Sequence, residues 1–215
     1  MIPLYHDLHE ETVVVFGGGP VGARKARRFG RESEVLVVSP EFPESDYGGA
    51  QRIRAAPTAE DIPAWFDRVS PALVVAATDA ATVNEAIETT AETRGVLVNR
   101  ADRSGSRSPG SVVVPATVED GGVTVAVSTG GRSPALSKEL RDRIEAEIEG
   151  AGELAEITAD VRQSLKDGGV DPGRRRRAIR AVIDSPAVWK DLGRGDANPR
   201  QTVEAVVEAA LGEHT

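Results

Sequence analysis

The chain has 215 residues, a formal net charge of −8 and no cysteine. This length suits one domain with a smaller appendage. The lack of cysteine excludes disulfides, thiolate metal ligands and a cysteine nucleophile, and the acidic balance argues against nucleic acid as a partner. No apolar run reaches the roughly 20 residues of a membrane span, and the first residues do not have the pattern of a signal peptide. We therefore expect a cytoplasmic protein with no membrane partner.

The first half of the chain alternates short apolar runs with helical patterns. The predicted strands cover residues 12–16, 34–38, 51–55, 72–77 and 95–99, and the predicted helices cover 20–30, 59–68 and 80–93. Strands that alternate with helices indicate a parallel sheet with helices on both faces. The strands are continuously apolar, as expected where a strand is buried on both sides. The fold class is therefore α/β, with a doubly wound parallel sheet.

Beyond residue 100 the pattern changes. A polar loop covers 101–110, and two predicted strands, 111–115 and 123–128, are joined by a turn at 119–122. A helix should begin at Pro134, with Ser133 as its N-cap, and run to about Glu149. From residue 150 onward the pattern is helical. We therefore expect three parts, 1–110, 111–149 and 150–215.

A glycine-rich loop follows the first strand. Gly17, Gly19 and Gly22 form the pattern G-x-G-x-x-G, with Pro20 and Val21 between the last two glycines. Glycine at these positions lets the backbone approach a pyrophosphate, which then meets free N–H groups and the positive end of the next helix. The strand–loop–helix context indicates dinucleotide binding. The alternative is a tight structural turn without a ligand.

The second strand bears on the choice of cofactor. An NAD-binding unit usually carries Asp or Glu at the end of this strand, whereas here the position is Ser39, with Glu41 two residues later. No arginine stands in the sequence at this strand end to accept a 2′-phosphate, so NAD is favoured over NADP. Thr78, Asp79 and Asn99 should border the same crevice, although Asp79 could equally cap the following helix.

Four stretches together resemble one family. They are the opening 1–29 with its glycine loop, 74–79 (VVAATD), 98–102 (VNRAD) and 125–134 (VAVSTGGRSP). In order and content these stretches resemble the precorrin-2 dehydrogenases, which form the N-terminal part of siroheme synthases. The resemblance implies a Rossmann-like NAD-binding domain, a dimerisation module at 111–149 and a helical C-terminal domain. It also implies oxidation of precorrin-2 to sirohydrochlorin with NAD as hydride acceptor, and a homodimer.

The resemblance assigns catalysis to Asp102, because the matching aspartate of the family is its catalytic residue. A carboxylate beside the reduced macrocycle could accept a proton or hold the ring in place. From the residues alone, Asp102 could instead cap the polar loop or pair with Arg100 or Arg103.

Precorrin-2 is a polycarboxylate, so its site needs local positive charge. The arginines of the two motif loops suit this task, because a guanidinium binds a carboxylate with two hydrogen bonds; they are Arg100, Arg103, Arg107 and Arg132. Any of them could instead be solvated or paired with a nearby acid. Further donors to the substrate are expected from Ser128, Thr129, Gly130 and Gly131. The two glycines could equally serve only to turn the chain.

Other readings remain open. His6 and His9 lie near the amino terminus without further ligands, so we expect no metal site. Some members of the family also insert ferrous iron, which makes a combined dehydrogenase and ferrochelatase the second enzyme hypothesis. A nucleotide-sensing module would also use a glycine-rich loop on a parallel sheet, but it would need neither the arginine-rich loops nor the 125–134 motif. The hairpin and the helix after it should expose apolar faces in a monomer, which supports the predicted homodimer.

Overall fold

The computed structural model describes residues 3–103, 110–192 and 198–212. These divide into two compact units. The first contains the described residues up to Val114 together with Gly130–Arg132, and the second contains Pro115–Thr129 and the described residues from Ser133 onward.

The first unit is built on a five-stranded parallel sheet in the order β3-β2-β1-β4-β5. The strands are β1 Thr12–Phe16, β2 Glu34–Ser39, β3 Gln51–Arg54, β4 Leu73–Ala76 and β5 Leu97–Arg100. The helices are α1 Pro20–Phe29, α2 Ile62–Val69, which follows a 3₁₀ turn at Ala59–Asp61, and α3 Ala81–Arg94. This strand order is that of a Rossmann-like sheet, so the predicted fold class is confirmed.

Apolar packing covers both faces of this sheet. Helices α2 and α3 pack on one face, where Phe66 and Ile87 are buried. Helix α1 packs on the other face through Ala23 and Ala26. The strand order reverses between β1 and β4. In sheets of this kind the loops that follow two such strands diverge, and ligands bind there at the carboxyl edge.

The segment after the polar loop differs from the prediction. Ser111 forms a parallel bridge with Val98, and the Val112 N–H donates to the Val98 carbonyl at 2.8 Å. The predicted hairpin strand at 111–115 is therefore wrong, because this apolar run extends alongside β5 instead. The hairpin is formed by β6 Ala116–Asp120 and β7 Val123–Val127. Asp120 pairs with Val123, so the turn consists of Gly121 and Gly122. Two-residue turns rich in glycine are the commonest connections in β-hairpins.

The second unit contains this hairpin and five helices within the described residues: α4 Pro134–Glu147, α5 Ala151–Asp167, α6 Pro172–Ile183, α7 Pro186–Asp191 and α8 Pro199–Gly212. Ser133 caps α4 as predicted, since its hydroxyl accepts from the Leu136 N–H at 3.2 Å. A separate apolar core joins α5, α6 and α8 through Ile157, Val182 and Val203. None of the helices in the described ranges is long and apolar enough to cross a membrane.

Candidate functional site

Two glycines of the loop between β1 and α1 are required by packing. Gly17 has a φ of +113°, and a Cβ there would collide with the carbonyl of Ala77 at the end of β4. A Cβ on Gly22 would collide with the carbonyl oxygen of Gly17. These two positions hold the loop close to the sheet and bring the start of α1 over it, whether or not a ligand is bound.

Gly19 is different. Its φ is −68°, which other residues adopt, and a Cβ built there would meet no atom within 4 Å among the described residues. The protein itself does not require glycine at this position. Gly19 is the N-cap of α1, where the first N–H groups have no partner within the helix, and no side chain caps them. An open backbone beside free donors fits the pyrophosphate of a dinucleotide.

The middle of the loop is held by a residue that the sequence did not indicate. The hydroxyl of Tyr47 is buried and donates to the Gly18 carbonyl at 2.6 Å. A Cβ on Gly18 would lie 2.5 Å from the Glu41 carbonyl and 2.8 Å from the Ser39 side chain. The loop therefore packs directly on the end of β2. No sequence signal marks Tyr47, because it lies 29 residues from its partner.

At the end of β4, Thr78 and Asn84 hold each other. The Thr78 N–H and hydroxyl donate to Asn84 Oδ1 at 3.2 and 2.8 Å, and Asn84 Nδ2 donates to the Thr78 carbonyl at 2.8 Å. Thr78 Oγ1 also accepts from the Ala80 N–H at 3.2 Å. The residue that supports the start of α3 is therefore Thr78. Asp79, the predicted alternative cap, is exposed.

At the end of β5, Asn99 is buried. Its Nδ2 donates to the Val112 carbonyl at 2.8 Å. Its Oδ1 is a buried side-chain acceptor without a partner among the described residues. Such an atom costs free energy unless it is satisfied, and a bound ligand is one way to satisfy it.

Asp102, two residues past β5, is held by Arg100, the last residue of that strand. Arg100 Nε donates to Oδ1 at 2.9 Å and Nη2 donates to Oδ2 at 2.8 Å. Arg100 Nη1 donates to Glu88 of α3 at 2.5 Å. The Arg100 side chain is only 3% exposed, against 29% for Asp102. These hydrogen bonds from Arg100 lower the pKa of Asp102 from its ordinary value, because they favour the charged carboxylate.

The other predicted arginines have different surroundings. Arg103 is half-exposed and pairs with Glu85 at 2.9 Å and with Glu88 at 3.3 Å. Arg107 lies outside the described residues. Sequence reasoning anticipated a pair between Asp102 and Arg100 but missed both glutamates. Their spacing of three residues on α3 places them on one helix face, which was the only available signal.

In the 125–134 motif, Ser128 and Thr129 belong to the second unit and Gly130–Arg132 to the first. The Thr129 hydroxyl donates to the Ser133 carbonyl at 3.0 Å and accepts from the Ser133 N–H at 3.2 Å. Gly130 and Gly131 have φ values of +63° and +79°, so they do turn the chain into α4. Arg132 is exposed. These contacts explain the shape of the turn, and substrate binding by the motif stays a prediction.

The first unit thus places the predicted cofactor residues and Asp102 at, or just after, the carboxyl ends of β1, β2, β4 and β5. Within the part of the chain that the structure describes, no cluster of three or more His, Cys, Asp or Glu residues could hold a metal ion.

Comparisons with known proteins agree with this layout. A family model described as NAD(P)-binding matches residues 4–116, and one described as the central part of a sirohaem biosynthesis protein matches residues 120–147. A precorrin-2 dehydrogenase of Methanosarcina barkeri is 29% identical over 98% of this chain and 95% of its own length. A siroheme synthase of Pseudomonas putida is 32% identical over 97% of this chain, which spans only 45% of that relative.

A solved structure of SirC, a precorrin-2 dehydrogenase, superposes with a TM-score of 0.68 and covers 97% of this chain and 100% of its own. The sequence identity is 21%. At that identity the likeness establishes the fold.

Proposed function

Because this chain belongs to the family of precorrin-2 dehydrogenases and siroheme synthase N-terminal regions, we propose that it oxidises precorrin-2 to sirohydrochlorin. When bound, NAD⁺ supplies the hydride acceptor. One observation carries the proposal. The open glycine loop and the Asp102 carboxylate follow strands of the same sheet, β1 and β5, at the carboxyl edge where such folds bind ligands.

The chain's own groups would hold the cofactor along this edge. The N–H groups at the start of α1 would bind the pyrophosphate, and the end of β2 would face the adenosine ribose. The end of β5 offers the unpaired oxygen of Asn99. The residues proposed to contact the cofactor are Gly17, Gly19, Pro20, Val21, Gly22, Ser39, Glu41, Thr78, Asp79 and Asn99.

Asp102 is the proposed catalytic residue. Its lowered pKa keeps the carboxylate ionised across the neutral range, but the same shift makes it a weak base. A permanent negative charge is better suited to binding the N–H groups of the reduced macrocycle and to stabilising positive charge as a hydride leaves. The arrangement therefore favours an electrostatic and orienting role for Asp102, and the proton that the macrocycle loses together with the hydride is released to water.

The resemblance implies that residues of the two motif loops bind the substrate carboxylates. The proposed contacts are Arg103, Arg107, Arg132, Ser128, Thr129, Gly130 and Gly131. Arg100, also predicted to bind substrate, is buried, and its Nε, Nη1 and Nη2 already donate to carboxylates of the chain. We propose instead that Arg100 positions Asp102.

The test is an anaerobic assay of NADH formation from precorrin-2, with the full chain and its Asp102→Asn variant. We expect the variant to lose roughly 100-fold or more in kcat, the range for removing a group that stabilises charge in the transition state. Glu92→Gln, on the exposed side of α3, is the matched control and should turn over normally. If Asp102→Asn turns over as fast as the unmodified chain, Asp102 has no catalytic role. If the unmodified chain forms no NADH, the proposed dehydrogenase activity is wrong.

We further propose a homodimer located in the cytoplasm. Helix α4 has no buried residue, and Leu136 on it is 49% exposed. The valines of β7 are only half-buried. An amphipathic helix and a hairpin with uncovered apolar side chains are typical of a surface that pairs with a second copy.

A further inference from the structure

The end of β2 lies beside an arginine that sequence reasoning did not place there. In the parallel pairing of β2 with β3, Ser39 is the register partner of Arg54. Neighbouring strands are about 4.8 Å apart, so the two residues stand side by side at the carboxyl edge although 15 positions separate them in the sequence.

Both side chains also point to the same face of the sheet. Ser39 follows Val35 and Val37, which pack on the α1 face, and it lies against Gly18 of the glycine loop. On β3, Arg52 lies over the rings of Phe42 and Tyr47, which belong to that same core. Arg54 is two residues further along, and alternate residues of a strand share a face.

The Arg54 guanidinium has donors to spare. It is exposed, and it donates one long hydrogen bond of 3.3 Å from Nη1 to the Pro40 carbonyl. Among the described residues it forms no ion pair with a carboxylate. A guanidinium in this state can bind a phosphate dianion with two parallel hydrogen bonds.

The register partner of Arg54 carries no negative charge that would repel a phosphate. Dinucleotide folds that exclude a 2′-phosphate place a carboxylate at the end of β2, whereas those that accept it place an arginine nearby. Here the position is the small neutral Ser39. The nearest acid in the sequence, Glu41, turns its backbone carbonyl toward Gly18 and has an exposed side chain.

From this juxtaposition we propose that the cofactor site also binds the 2′-phosphate of NADP⁺, with Arg54 as its ligand and Ser39 leaving room for it. This inference rests on the proposed function, since it concerns the adenosine end of the same cofactor site. It revises the preference for NAD that the sequence alone suggested into acceptance of both dinucleotides.

The test is calorimetric titration of the full chain with NAD⁺ and with NADP⁺, together with its Arg54→Gln variant. We expect the unmodified chain to bind both. Arg54→Gln should weaken NADP⁺ binding by about tenfold or more, the effect of losing a charged hydrogen bond, and leave NAD⁺ affinity within about twofold. Intact NAD⁺ binding also shows that the variant is folded.

Two further variants sharpen the result. Arg68→Gln on α2 removes the same charge on the other face of the sheet and should change neither affinity. Glu41→Gln should tighten NADP⁺ binding relative to NAD⁺, because a neighbouring negative charge is removed. NADP⁺ binding should also fall more steeply than NAD⁺ binding as salt rises.

The outcomes separate the two proposals. If NAD⁺ binds and NADP⁺ does not, or if Arg54→Gln weakens both equally, the 2′-phosphate site is wrong and the proposed function stands. If neither dinucleotide binds, both fail.

Discussion

One guanidinium, that of Arg100, holds both oxygens of the Asp102 carboxylate, at 2.9 Å to Oδ1 and 2.8 Å to Oδ2. Behind it, Glu88 of α3 accepts from the third nitrogen. A buried cation between two carboxylates fixes the position of Asp102 and keeps it ionised. The geometry of the proposed catalytic group thus depends on two residues that need not touch the substrate.

Removing Arg100 should change the pH dependence of the reaction. Arg100 lowers the pKa of Asp102 from 3.8, so in Arg100→Gln the pKa of Asp102 should rise. The acid limb of the kcat/KM profile should then move to higher pH, because the ionised form is lost sooner as pH falls. The control is Arg94→Gln, which breaks an exposed pair with Asp67. An unmoved acid limb in Arg100→Gln would contradict the role of Arg100.

The same pKa shift has a consequence for stability. Because the pKa of Asp102 is lower in the folded state, the pair stabilises the protein above pH 3.8, and this contribution disappears as pH falls through the lower folded value. Acid unfolding followed by circular dichroism should show less difference between the unmodified chain and Asp102→Asn as the pH approaches 2. A difference that is constant from pH 7 to pH 2 would rule out this linkage.

Glu88 should matter for stability more than its neighbours on α3. Its side chain is 12% exposed and faces an Arg100 that is 3% exposed. Glu88→Gln leaves a buried cation short of one charged partner, and we expect a loss of about 1–3 kcal/mol in the free energy of unfolding. Glu92→Gln, exposed on the same helix, should stay within about 0.5 kcal/mol. Urea unfolding measures the free energy change for both variants. Equal changes would show that the contact between Glu88 and Arg100 does not stabilise the fold.

Substitutions at two glycines of the loop should have different effects, one on ligand binding and the other on stability. Gly19→Ala should fold with nearly unchanged stability, since its φ of −68° suits alanine and its Cβ meets open space. Its NAD⁺ affinity should fall about tenfold or more, because the methyl group occupies the approach to the backbone. Gly22→Ala should lower the melting temperature clearly, because its Cβ strikes the Gly17 carbonyl. A Gly19→Ala variant with full NAD⁺ affinity would show that the pyrophosphate lies elsewhere.

The hydrogen bond from Tyr47 to Gly18 should stabilise the glycine loop. Tyr47→Phe leaves the buried Gly18 carbonyl without its hydrogen bond of 2.6 Å, which should cost about 1 kcal/mol of stability. Ser45→Ala, at an exposed residue in the segment between β2 and β3, is the control and should have no measurable effect on the thermal midpoint. If both variants unfold together with the unmodified chain, the Tyr47 contact is not a support of the loop.

The oligomeric state tests the surface formed by α4 and the hairpin. Light scattering at micromolar concentration should give about twice the chain mass of 22.7 kDa. Leu136→Asp places a charge on the exposed apolar face of α4 and should give a monomer, while Lys138→Ala on the same helix should not. A monomeric mass for the unmodified chain would contradict the homodimer.

Much of the fold could be read from local patterns. Continuous apolar strands alternating with helices require a parallel sheet, and Gly17 and Gly22 fall where packing tolerates no side chain. The second strand of the hairpin could also be read, since the predicted 123–128 agrees with β7, but the first strand could not. An apolar run such as 111–115 suits any strand partner, and only the packed structure shows that Ser111 joins Val98.

The sequence by itself determined the type of sheet, the position of the glycine loop and the aspartate that follows the last parallel strand, because each depends on residues close together in the chain. Only the tertiary structure decided what surrounds them. It brought Glu88 to Arg100, Tyr47 to Gly18 and Arg54 to Ser39, over separations of 12 to 29 residues. Sheet register and helix packing set such contacts, and no local pattern in a single sequence encodes them.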